Sequence, residues 1–184
     1  MQSEPGTMMY MSSGVDPHVT YEGCFGRACS GECCYAVNYT NSGSSENTSY
    51  LSLTPNFPTM KVVPVDLSSP DVNGKLIAQQ GAFMASYGDV EVNVSFDCSC
   101  TALCAGTGLV RQKLKGSGTA FLAATGTIVQ KVLAEGEIIL ADTNCILAFA
   151  KSVSIDVRKS GSIVGMFGGG EVSWYRCRKR VSFF

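Results

Sequence analysis

The chain has 184 residues, of which 45% are apolar and only 16% charged, with a net charge of −1. That length makes one domain, able to bury roughly 70% of the surface its unfolded chain exposes. It needs no disulfide staples to build a core, and its near-neutral balance excludes a protein whose overall field gathers nucleic acid or anionic lipid.

No Lys or Arg precedes Arg27. The start therefore shows neither the basic, apolar pattern of a secretory signal nor the Arg-rich pattern of a transit peptide. His18, the single histidine, follows Pro17 and reads as an exposed residue of a polar turn. A first strand is expected over Cys33–Tyr39, and the Ser/Asn-rich segment Asn41–Ser49 reads as an exposed loop. Strands follow at Tyr50–Leu53 and Lys61–Asp66. Within the latter, Pro64 lacks a ladder donor and places that strand at a sheet edge.

Val90-Glu91-Val92-Asn93-Val94-Ser95-Phe96 alternates apolar and polar residues, the signature of a half-buried strand. Further strands are expected at Leu109–Leu114, Ala120–Ala124, Ile128–Leu133, Glu137–Leu140 and Ile146–Ala150. Val153, Ile155 and Val157 repeat the alternation. Gly106, Gly116, Gly126 and Gly136 recur at strand-plus-turn spacing. No stretch keeps a helical period, so the fold class is all-β, an antiparallel sandwich or barrel. Ala82–Gly88 resembles Ala120–Gly126, and Gly74–Ile77 echoes Gly136–Ile139. These echoes predict a duplicated β-unit whose two sheets pack face to face.

One histidine is too few for a cupin-type metal centre, which needs two or three, and a serine or cysteine hydrolase would need His18 itself beside its nucleophile, for which nothing in the sequence argues. Nine cysteines are an odd set, which reads as buried free thiols in a reducing compartment. Asn38, Asn47 and Asn93 begin glycosylation sequons that such a compartment leaves unused. Cys98, Cys100 and Cys104 form C-x-C-x3-C, a poor match to structural zinc, and Cys24, Cys29, Cys33 and Cys34 read as ordinary thiols. Gly165–Gly170 lacks the Lys-Ser/Thr ending of a phosphate loop and reads as a tight turn. The longest apolar run, Cys145–Ala150, is far shorter than the ~20 residues that span a bilayer. No catalytic, cofactor-binding or metal residue is assigned, and no cofactor is expected.

Several motifs in fixed order resemble one family. They are Cys24-Phe25-Gly26-Arg27, Ser30-Gly31-Glu32, Leu53-Thr54-Pro55-Asn56-Phe57-Pro58 and Gly81-Ala82-Phe83-Met84-Ala85-Ser86. Gly106-Thr107-Gly108-Leu109, Gly116–Gly126, Gly136-Glu137, Ala148-Phe149 and Met166-Phe167-Gly168-Gly169 follow. The set is similar to the altered-inheritance-of-mitochondria protein 24 family, also described as mitochondrial-biogenesis proteins. The resemblance implies a sandwich with the fold of the tryptophan RNA-binding attenuation protein, commonly a homotrimer. It also implies a mitochondrial location and a link to inner-membrane architecture, with a membrane-organising complex as partner. It supplies no catalytic residues.

The expected organisation is a sandwich domain over residues 1–169, then an atypical basic tail over residues 170–184. That tail holds Arg176-Cys177-Arg178-Lys179-Arg180, and a terminal charge run of this kind is usually solvated. The expected function is a non-enzymatic organising protein that is homo-oligomeric and mitochondrial, or cytoplasmic if the family link fails. Two alternatives stay open: a nucleic-acid-binding module using the basic tail, and a thiol-based metal or redox protein.

Overall fold

The computed structural model describes residues 1–21, 35–43, 48–96, 110–142, 145–158, 172–177 and 181–183. In chain order the strands are β1 (Gln2–Ser3), β2 (Met8–Met11), β3 (Val15–Thr20), β4 (Ala36–Asn41), β5 (Leu51–Leu53) and β6 (Met60–Asp66). There follow β7 (Lys75–Ala78), β8 (Phe83–Tyr87), β9 (Val90–Phe96), β10 (Val110–Gly116), β11 (Thr119–Thr125) and β12 (Lys131–Leu133). The last are β13 (Ile138–Asp142), β14 (Ala148–Ala150), β15 (Val153–Arg158), β16 (Val172–Cys177) and β17 (Val181–Phe183).

Two six-stranded antiparallel sheets form the body, with strand orders β3-β4-β1-β8-β11-β6 and β12-β17-β14-β7-β10-β9. A three-stranded sheet, β13-β16-β15, and a ribbon of β2 with β5 complete the architecture. The molecule is all-β, as its alternation predicts. Leu67, Leu76, Leu114, Ala120, Leu122 and Ala148 are fully buried and join both large sheets in one core cluster, with Val65 and Phe83. A second cluster packs Leu133, Phe149 and Val153 against Ile139 of the small sheet. A third puts Met84, Ala85 and Ala123 on the opposite face of the first sheet, beneath Leu53 of the ribbon.

The strand over Val90–Phe96 forms with its expected bounds, and the strand holding Pro64 is an edge strand, bonded only to β11. Gly116, Gly126 and Gly136 all have positive φ and end or begin strands there. Gly116 also allows a close approach, because a Cβ there would overlap the Asp89 carbonyl oxygen. Gly106 lies outside the described residues.

Elsewhere the boundaries move. The expected strands over Ile128–Leu133 and Ile146–Ala150 shorten to three residues each. Ile128, Ile146 and Leu147 owe their apolar signal to core packing as loop residues, not to strand pairing. Of Cys33–Tyr39, the part from Ala36 is strand, and Cys33 and Cys34 lie outside the described residues.

Three readings are corrected. His18 is exposed, but on edge strand β3 opposite Asn38 and not in a turn. Pro17 and Asp16 hide the alternation there. The echoed segments Ala82–Gly88 and Ala120–Gly126 do not face each other across the sandwich: β8 and β11 are antiparallel neighbours in one sheet. The partner echo places Lys75 in the second large sheet and Ile138 in the small one. Finally, part of the supposed tail is paired backbone. Strand β16 runs between β13 and β15, and β17 runs between β12 and β14. Arg178, Lys179 and Arg180 lie outside the described residues.

One irregularity governs the packing. Phe121 pairs with Ala85 while Leu122 pairs with Phe83, so Met84 is an extra residue in β8. This bulge lets Ser86, opposite Ala120, and Phe83, opposite Leu122, both face the core. Met84 and Ala85 turn to the other face. The Met84 carbonyl accepts the Glu4 N–H at 2.9 Å. The Phe83 N–H donates to Oε1 of Gln112, 2.9 Å away on the opposing sheet. Gln112 is 1% exposed, so this bond spans the core.

Two substitutions test this packing by chemical denaturation. Leu114→Ala should cost about 2–5 kcal/mol. Gln112→Leu keeps the volume but strands the Phe83 N–H, and should cost about 1–3 kcal/mol. A wild-type midpoint for Gln112→Leu would show that the inter-sheet bond is not needed.

Candidate functional site

Two surface features stand out among the described residues. The first is a cleft of ≈ 710 Å³, within the range of about 300–1,000 Å³ usual for small-molecule pockets. It opens where β11 ends, between the β7–β8 turn, the start of β12 and the approach to β14. Met60, Ala82, Ala123 and Leu147 supply apolar wall, and Gln79, Thr125, Thr127, Lys131 and Cys145 supply polar atoms.

Lys131 is held beside this cleft by a local device. Its Nζ lies 2.5 Å from Oε1 of Glu137, and Oε2 of the same carboxylate accepts the Ala134 N–H at 2.8 Å. The Glu137 N–H returns a bond to the Ala134 carbonyl at 3.0 Å. The Lys131 ammonium, then the Ala134 N–H, hold the Glu137 carboxyl below the usual carboxylate range. Cys145 is an exposed free thiol. Among the described residues no three of His, Cys, Asp and Glu gather as a metal site.

The second feature is the β2–β5 ribbon. Met9 is 64% exposed, Tyr10 54% and Tyr50 58%. The two tyrosine rings meet edge to face with centroids 6.1 Å apart, an arrangement favoured by the ring quadrupoles. The Ser52 hydroxyl donates to the Met9 sulfur at 3.8 Å. Neither strand carries a charged residue. Leu53 anchors the ribbon on the first sheet while the tyrosines and Met9 stay in solvent.

The residues weighed in the sequence do not assemble here. His18 sits on edge strand β3, on none of the cleft walls. Cys24, Cys29, Cys33, Cys34, Cys98, Cys100, Cys104 and the run Gly165–Gly170 lie outside the described residues. Cys177 belongs to β16, and Cys145 lines the cleft. Of the ribbon, the strand expected over Tyr50–Leu53 forms as Leu51–Leu53, whereas β2 escapes a sequence reading because Met-Met-Tyr-Met has no alternation. Its signal was the uncharged Met/Tyr composition itself.

Glu137 gives a direct test. A carboxyl with a depressed folded pKa contributes stability above its unfolded value and loses it as pH falls through the folded one. A carboxylate NMR titration should place Glu137 below an unperturbed glutamate, and Lys131→Met should raise it. An unchanged value in Lys131→Met would remove the ion pair as the cause.

A crystal structure of a Streptococcus pyogenes protein superposes with a TM-score of 0.70 at 21% identity, covering 99% of this chain and 80% of that one. This likeness shows the fold alone. No curated protein matches the sequence. The sequence model of one family, described as mitochondrial biogenesis AIM24, matches residues 1–178. With nearly the whole length matched, the chain belongs to the mitochondrial biogenesis AIM24 family.

Proposed function

We propose that the protein is a non-enzymatic organising component of mitochondrial biogenesis that acts by self-association. The observation that carries this reading is the β2–β5 ribbon, where Met8, Met9 and Tyr10 of uncharged β2 and Tyr50, just before uncharged β5, lie exposed. Monomeric surfaces rarely leave such side chains contiguous, and aromatic residues and Met are enriched where proteins meet. The ribbon's seat on a rigid sheet fixes the rings in advance, which lowers the ordering cost of association. Family membership supports the biogenesis role, and the resemblance makes a homotrimer at the inner membrane the assembly to look for. Solvent exposure of His18, the sole histidine, also suits a role that needs no general base.

Sedimentation at micromolar concentration should show an oligomer. Tyr10→Ser with Tyr50→Ser should shift it toward monomer by tenfold or more in dissociation constant, the loss of about 1.4 kcal/mol, without loss of fold. A monodisperse wild-type monomer would overturn self-association. Fractionation of the endogenous protein with protease protection should give a protected mitochondrial signal, and a cytosolic signal would overturn the compartment.

A further inference from the structure

The outer face of the second large sheet carries charge of almost one sign. Strand β10 reads Arg111-Gln112-Lys113-Leu114-Lys115, and Gln112 and Leu114 are buried toward the first sheet. Strand alternation therefore sends Arg111, Lys113 and Lys115 to the opposite face. On β7, Leu76 and Ala78 point into the core, so Lys75 shares that outer face, directly opposite Lys115. The Lys151 N–H donates to the Lys75 carbonyl at 3.2 Å, which puts a fifth basic residue beside this end of the sheet.

On the other flank, β9 sets Asn93 opposite Lys113 and Glu91 opposite Lys115. Among the described residues Glu91 is the only acid on these three strands, and its carboxylate lies 3.9 Å from Lys115 Nζ. Asp71 and Asp89 belong to turns at the sheet's end. Arg111 lies flat, its guanidinium carbon 5.3 Å from the centroid of the Phe149 ring. Like charges directly opposite each other across two strands are destabilising, so the Lys75–Lys115 pair costs the fold stability. In a chain of net charge −1, collecting these cations on the part of this face beside Ile77 and Phe149, which pack toward the small sheet, points to an external anion.

We propose that this face docks on an anionic phospholipid surface. Lys75 is exposed and Lys113 and Lys115 half-exposed. Lys113 and Lys115 are spaced about 7 Å along β10 and Lys115 and Lys75 about 5 Å between strands, a spacing that neighbouring headgroup phosphates can meet one by one. A single-stranded nucleic acid would need exposed rings on which to stack its bases. Among the described residues the exposed tyrosines, Tyr10, Tyr21, Tyr35, Tyr50 and Tyr87, belong to or flank the first sheet and its ribbon. The docking face lies on the other side of the sandwich from the ribbon, so it does not depend on self-association.

Co-sedimentation with phosphatidylcholine vesicles, with and without phosphatidylglycerol, tests the assignment. Binding should require phosphatidylglycerol and weaken as salt is raised. Each lysine near such a surface contributes about fivefold in affinity. Lys75→Gln combined with Lys113→Gln should therefore lose roughly thirty-fold, and Lys61→Gln on β6 should lose less than about twofold. Thermal melting checks the double variant, which relieves a repulsion and should melt no lower than wild type. Equal binding to neutral vesicles, no binding to anionic ones, or an equal loss in Lys61→Gln would each overturn the proposal. So would a single-stranded RNA that binds more tightly than the vesicles through the same lysines.

Discussion

A single hydrogen bond across the core, from the Phe83 N–H to Gln112, sets the terms for much of the fold. The extra residue in β8 reverses the facing of its side chains partway along the strand. Without that reversal Phe83 would leave the main core and Met84 would enter it. The bulge in turn removes a backbone donor from the ladder, and a buried donor must find a partner. Gln112 meets that need from the opposite sheet, so the cost of one irregularity becomes a tie between two layers. The carbonyl of this glutamine is satisfied, whereas its buried Nε2 finds no partner among the described residues, so the tie carries a burial cost of its own.

The same reversal prepares both outer surfaces. By turning Met84 and Ala85 outward from the main core, it builds the small apolar seat on which Leu53 and the ribbon rest. On the other side, β10 uses Gln112 and Leu114 inward and its cations outward. The sandwich thus has two chemically different flanks, one bearing the uncharged ribbon rich in Tyr and Met, the other basic.

Sequence reading reached the fold class because strict alternation survives in β9 and β15, and because glycines mark the turns. It reached the edge position of β6 because Pro64 has only one mechanical meaning in a strand. It failed at β1, a two-residue strand at the centre of a sheet, too short to show any period. It failed again at β16 and β17, where a basic run suggested solvated tail and the backbone is paired instead. The basic stripe was legible as Arg or Lys at positions 111, 113 and 115. Net charge concealed it, because a sum over the chain discards the geometry that puts like charges on one face. The cleft was not legible, since its walls come from segments far apart in sequence.

The first large sheet ends in proline-bearing strands on both sides, Pro17 in β3 and Pro64 in β6. An open sheet edge is a template for another strand, and repeated addition leads to fibres. Each proline removes a donor and sets a rigid ring in the path of an incoming backbone. Growth by adding strands is thereby discouraged at both ends of this sheet. At this sheet a second copy would meet side chains on the faces more readily than an open strand edge. Crowding on a surface then does not propagate β-structure from this sheet to the next copy.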